Sequence, residues 1–151
     1  MKDAHDFDGD RRSWMGLMAR APEGRVAALL GAATMRPNFD WLRAPEHGSV
    51  MVQGRTGASG APFNLGEMTV TRCALTLATG EVGHAYLQGR RRKDAEAAAL
   101  VDAMMQTDIA GYLRAQVLDS LSAEAETRRA TRAAKAAATK VDFFTMMRGE
   151  A

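Results

Sequence analysis

Cys73 is the single thiol of the sequence, and Arg72 stands beside it. A neighbouring cation favours the thiolate, the nucleophilic form of cysteine. A cysteine nucleophile also needs a base, and none of the three histidines, His5, His47 and His84, lies near it in sequence. In a strand, the ordinary role of such a cysteine is that of a small buried hydrophobe. No two histidines have the spacing of a metal pair on one helix. A lone cysteine provides neither an intrachain disulfide nor a Cys-based zinc site. Asp6, Asp8 and Asp10 alternate like the start of a calcium loop, but Gly9 is misplaced and Leu17 stands where the closing bidentate carboxylate belongs. Ser13, Ser49, Ser59, Ser120 and Ser122 lack a nucleophile-elbow context. No residue set completes a catalytic logic, so the sequence assigns no catalytic, cofactor-binding or metal-ligating residue.

Two segments carry recognition chemistry instead. The stretch from Gly54 to Gly66, G-R-T-G-A-S-G-A-P-F-N-L-G, has four glycines. Glycine allows positive φ and close backbone approach, and amides in such loops can cradle phosphate. The Gly-Lys-Ser/Thr ending and the Gly-x-Gly-x-x-Gly spacing are both absent. Arg55, Gly57, Gly60 and Asn64 are therefore candidates for contact with a phosphate or with a partner's backbone, and Arg72 for a partner contact. The run Arg90-Arg91-Arg92-Lys93 opens a helix, where positive charge opposes the dipole. It either meets acidic groups or lies in a solvated turn.

The elements that position these residues belong to one domain of ordinary length, 151 residues. Hydrophobic residues at 46% and charged residues at 25% exclude a disordered or low-complexity chain. Twenty Lys and Arg against 18 Asp and Glu is too even for a nucleic-acid binder. The longest apolar run, Val26 to Ala33, is eight residues, against about 20 for a bilayer span. A soluble, reduced, cytoplasmic protein is expected. The ten Met residues fill a core short of aromatics or meet another protein.

Residues 1–9 read as a disordered acidic tail. Asp10 can cap a helix running to Arg20, and a second helix runs from Pro22 to Met35. Strands follow at Phe39–Trp41 and Val50–Val52, separated by a turn at 44–48. After the glycine loop come a strand from Glu67 to Leu77, a tight turn at Thr79-Gly80 and a strand from Val82 to Gln88. The apolar phase slips at Thr71-Arg72, which a β-bulge in that strand explains. Helices begin at Arg90, at Thr107 or Asp108, and at Ser122. The fold class is α+β: a four-stranded antiparallel meander flanked by N-terminal helices and a C-terminal helical segment, as a single domain over 10–140. The last helix carries only alanine on its apolar seam, so it is a solvated strut or packs on another surface. Residues 141–151 form an aromatic tail in which Phe143 and Phe144 need burial on this domain or on a partner, with Arg148 beside them.

Three strings are more specific than composition: W14-M15, A61-P-F-N-L-G-E-M-T-V-T-R-C73 and V141-D-F-F-T-M-M-R-G149. With G83-H-A-Y-L-Q-G-R90 and the helix from Ala95 to Gln106, they resemble the PhnG family of the phosphonate carbon–phosphorus lyase system, over about Arg12 to Glu150. One departure is visible. The family loop reads R-x-G-G-T-G, and here Ala58 replaces a glycine, which tells against positive φ at that position. The resemblance implies an accessory subunit of a complex with PhnI-, PhnH- and PhnJ-like partners. That complex would displace adenine from ATP with an alkylphosphonate, with a PhnI-like chain as catalytic partner. An iron–sulfur cluster belongs to the PhnJ-like subunit, and no cofactor to this chain. Nucleic acid and membrane are not among the expected partners. The rival readings are a free-standing module that binds a phosphorylated ligand and a small enzyme using Cys73.

Overall fold

The computed structural model describes residues 4–141, with side chains from residue 11 onward. Phe143, Phe144 and Arg148 lie outside the described residues.

The chain begins with α1 (Ala4–Ala19) and α2 (Arg25–Ala32). Helix α1 starts ahead of Asp10, the residue expected to cap it. The sheet comprises β1 (Phe39–Arg55), β2 (Pro62–Leu77) and β3 (Val82–Gln88), antiparallel in the order β1-β2-β3. Then come α3 (Arg92–Met104), α4 (Ala110–Leu113) and α5 (Asp119–Ala138). A π-helical turn at Arg114–Leu118 joins α4 to α5 without a break, so the helix start expected at Ser122 does not exist. No helix among the described residues is long and apolar enough to cross a membrane.

The architecture is α+β, but the sheet has three strands and not four. Residues 39–55, expected as two strands and a turn, form one strand. Its pairing with β2 shifts between Trp41 and Arg43 and again between Arg43 and Glu46. Pro45 lies in this irregular stretch. Proline has no N–H for a ladder, yet an edge strand with bulges accommodates it, so the chain passes through without turning. These two bulges are in β1, and β2 has none at Thr71-Arg72. There β2 pairs with β3 in unbroken register from Val70 to Thr76. The phase slip has another cause: Cys73, Leu75 and Leu77 point to the helices, whereas Met68 and Val70 lie on the opposite face. The expected loop 55–66 also shrinks, to a 3-10 turn at Thr56–Ala58 and three further residues before Pro62.

The core lies between the sheet and α3, closed by α1, α2 and the α4–α5 helix. Leu75 and Leu87 from the sheet meet Val101 and Met104 of α3, and Val26, Leu113, Val117 and Leu121 complete it. The stripe Leu113, Val117 and Leu121 keeps helical spacing and is buried. Helix α3 approaches the sheet closely because it is alanine-rich. At Gly83 a Cβ would stand 1.9 Å from Ala99 O and 2.8 Å from Ala103 N. Beyond Leu121, α5 is exposed or half-buried to its end, and Glu124 ties it back to Arg25 of α2.

Candidate functional site

Cys73 and His84 do not form a dyad. Cys73 pairs with Ala85 on the face that meets α3, whereas His84 pairs with Ala74 on the outer face. The buried Cys73 thiol donates to Ala95 O at 3.2 Å. Burial, with Glu96 adding repulsion, pushes this thiol up to about 12. A protonated, buried thiol is a core group and not a nucleophile. Arg72, adjacent in sequence, points the other way. Among the described residues, no three of His, Cys, Asp and Glu come together as a metal-ion site.

The feature that stands apart from the core is a two-stranded arm. Strand β3 covers β2 only from Val70 onward, and Gly89 N donates to Thr69 O at 2.8 Å, so Pro62–Met68 pairs with β1 alone. At about 3.3 Å per residue the arm extends about 25 Å past the three-stranded part. Val50 faces Met68, and Gly54 faces Phe63, on the outer side. Leu65 is the extra residue where the register shifts opposite Val52/Gln53. Phe63 is 45% exposed, Leu65 66% and Met51 52%. Isolated two-stranded ribbons are marginal in water, and large apolar side chains gathered on one mark an interaction surface.

Three of the sequence candidates form the arm's tip. Arg55 Nη1 donates to Gly60 O at 3.0 Å, and Gly60 N donates to Thr56 O at 3.0 Å. Arg55 Nη1 therefore helps to close the turn, and its side chain stays exposed. Gly57 has φ 58°. Gly60 is needed for a different reason: a Cβ there would meet Thr56 O at 2.8 Å. Ala58 adopts φ 65° despite its side chain, which corrects the expectation drawn from its replacing a glycine. That conformation costs about 1–2 kcal/mol in an L-residue. Asn64 pairs with Gln53 along the arm and is exposed.

Arg72 lies at the arm's base. Its Nε donates to Glu46 Oε1 at 2.7 Å, and Arg43 Nη1 donates to the same oxygen at 2.5 Å. Arg43 first, then Arg72, holds the Glu46 carboxyl below its ordinary value. On the inner side, the buried Thr71 hydroxyl donates to Gly89 O at 2.6 Å and accepts from Arg91 N at 2.9 Å. His47 Nδ1 lies 3.0 Å from Thr71 Oγ1 and so donates, while His47 Nε2 accepts from Arg92 Nε at 3.3 Å. The arm's first strand is thus fixed to the start of α3.

Sequence reasoning missed two buried carboxylates, Asp94 and Asp102, both on α3. Asp102 accepts from Arg11 Nε (3.0 Å) and Nη2 (2.7 Å), from Trp14 Nε1 (2.9 Å) and from His84 N (2.8 Å). It joins α1 to the free edge of β3 and blocks that edge with a charge. No local pattern signals this, because Arg11 and Trp14 lie about ninety residues away in sequence.

The family model described as "Phosphonate metabolism protein PhnG" matches residues 9–149. The chain belongs to the PhnG family. A PhnG relative from Rhizobium meliloti (strain 1021), named alpha-D-ribose 1-methylphosphonate 5-triphosphate synthase subunit PhnG, is 41% identical over 140 residues. The match covers 93% of this chain and 90% of the relative. The PhnG match runs through the arm and its tip as well as the core.

Proposed function

We propose that the chain is an accessory subunit of a synthase that joins an alkylphosphonate to the ribose C1 of ATP. A phosphonate oxygen forms the new bond to C1, the bond from C1 to the base nitrogen breaks, and adenine leaves. The product is a ribose 1-phosphonate 5-triphosphate. The chemistry falls to a PhnI-like subunit, and PhnH- and PhnJ-like subunits complete the assembly in the cytoplasm. ATP is a substrate of the assembly. The iron–sulfur cluster is the PhnJ-like subunit's, and this chain carries no cofactor of its own.

The observation that supports this reading is the 41% identity to a named synthase subunit over 93% of the chain. The exposed arm and the buried thiol agree with it, since the first offers a surface for assembly and the second removes the best nucleophile. Co-expression with PhnI-, PhnH- and PhnJ-like chains, followed by affinity purification through a tag on this one, tests it. Joint elution is expected, and omission of this chain should abolish adenine release from ATP and methylphosphonate. A soluble monomer that never co-elutes, and adenine release that does not need it, overturn the reading.

A further inference from the structure

The run Arg90-Arg91-Arg92-Lys93 meets the base of the arm through Arg91 N and Arg92, and the fold separates its members. Arg91 turns inward, with its side chain 10% exposed. Its guanidinium donates to Asp94 Oδ2 at 3.0 and 2.8 Å and to Pro22 O at 2.9 Å. Arg90, Arg92 and Lys93 stay exposed around a cavity of about 450 Å³ that also touches His47, Glu23 and Ala27. Ala27 and Lys93 also line an adjoining cavity of about 310 Å³, which adds Arg36 and Glu96. No carboxylate pairs with Arg36, Arg90, Arg92 or Lys93 among the described residues. Four cations therefore face two carboxylates along one ridge.

The hydrogen bonds decide which anion fits. A pocket for a small phosphate needs convergent, sheltered donors. Here the sheltered donors are engaged. The Arg91 guanidinium and the amides of Gly24 and Ala27 all serve Asp94, and the Thr71 hydroxyl serves Gly89 O. The available cations stand on an exposed rim, spread over two cavities. Spread, exposed charge of one sign complements a surface that presents several carboxylates, and it governs encounter rate and partner choice. Through His47 and Arg92 the ridge is also continuous with the base of the arm. Resting on the subunit reading above, we infer that the ridge of Arg36, Arg90, Arg92 and Lys93 docks an acidic segment of a partner subunit.

The test uses the full chain with poly-L-glutamate as the probe, at about 50 mM and about 500 mM salt, where screening is weak and strong respectively. The variant R90A/R92A/K93A removes three of the four ridge cations. The variant R129A/R132A/K135A removes the same charge from α5. All six positions are exposed, and a circular-dichroism spectrum checks that each variant is folded. The ridge variant should bind about tenfold more weakly at low salt, with the difference gone at high salt, while the α5 variant binds like wild type. Equal weakening of both variants, no weakening of the ridge variant, or preferential capture of a DNA duplex or of inorganic tripolyphosphate overturns the inference. Assembly with the PhnI-like chain is scored separately. No assembly of the wild-type chain sinks the subunit reading. Assembly in which the ridge variant associates at the wild-type rate at low salt sinks only the docking inference.

Discussion

Asp94 caps a helix other than its own, reaching from the first turn of α3 to Gly24 at the start of α2. Its Oδ2 accepts from Gly24 N at 2.7 Å, and its Oδ1 accepts from Ala27 N at 3.1 Å. Gly24 has φ 79° and offers no side chain, so the cap arrives from 70 residues away. The same carboxylate holds the sheltered Arg91 guanidinium. Asp94→Ala should therefore cost more than a cap, which is worth about 1 kcal/mol. It also strands a buried cation, for which about 3–5 kcal/mol is typical. Urea denaturation should show Asp94→Ala losing several times what Asp94→Ala gives in an Arg91→Ala background. Additive losses would mean that the pair is not coupled.

Gly83→Ala should destabilise the fold by about 3 kcal/mol or more, at the upper end of overpacking. The added carbon would overlap Ala99 O, and α3 cannot retreat without opening the core on the sheet face. Chemical denaturation measures it. A loss below about 1 kcal/mol would show that helix and sheet slide apart easily.

Cys73 links stability to pH. Its pKa rises from 9.0 to about 12 on folding. A group whose folded pKa is raised contributes stability that is complete below its unfolded value and is lost as pH climbs toward the folded value. Wild type should therefore lose stability relative to Cys73→Ala between pH 9 and about 12, by up to about 1.4 kcal/mol per pH unit. At pH 8 iodoacetamide should leave the folded thiol unmodified and label it after urea unfolding. Rapid labelling of the folded chain would refute this.

Phe63→Ser with Leu65→Ser should leave the melting curve nearly unchanged, because both side chains are already exposed. Recovery of the complex should fall about tenfold or more, as for anchors lost from an interface. Gly57→Val and Gly60→Val distort the tip and should lower assembly with little change in circular dichroism. Wild-type assembly by all of these variants would make the arm a passive connector.

A chain ending at Lys140 should stay folded, because the sheet and the helices from α1 to α5 all lie before residue 140. It should fail to co-purify with its PhnI-like partner, having lost Phe143 and Phe144, each worth about 1.5–3 kcal/mol when buried. A pull-down at wild-type yield would show that the tail is no interface.

The β2–β3 hairpin and the stripe through Leu113, Val117 and Leu121 were legible because each rests on local signals: alternation, a Thr-Gly turn and helical spacing. The candidates Arg55, Gly57 and Gly60 do share one tip, but Arg55 proved to be a latch on Gly60. The single strand 39–55 was not legible, since Pro45 reads as a stop until its neighbour on only one side is known. The sequence analysis did not single out Asp94 or Asp102, whose cations come from the preceding turn and from α1. The burial of Asp102 is decided by partners about ninety residues away, which sequence proximity does not reveal.

The extra residues of β1 opposite Cys73–Leu75 also say where this chain can change its length. Removing one residue between Leu42 and Pro45 takes up slack and leaves the flanking pairs, Trp41 with Leu75 and Glu46 with Arg72, in place. Removing one between His47 and Val52 has no slack to draw on. It slides the arm by one position and turns Val50 and Val52 to the side now held by Met51. Length variation among homologous chains should therefore collect in 42–45 and avoid 47–52, a pattern set by pairing geometry alone.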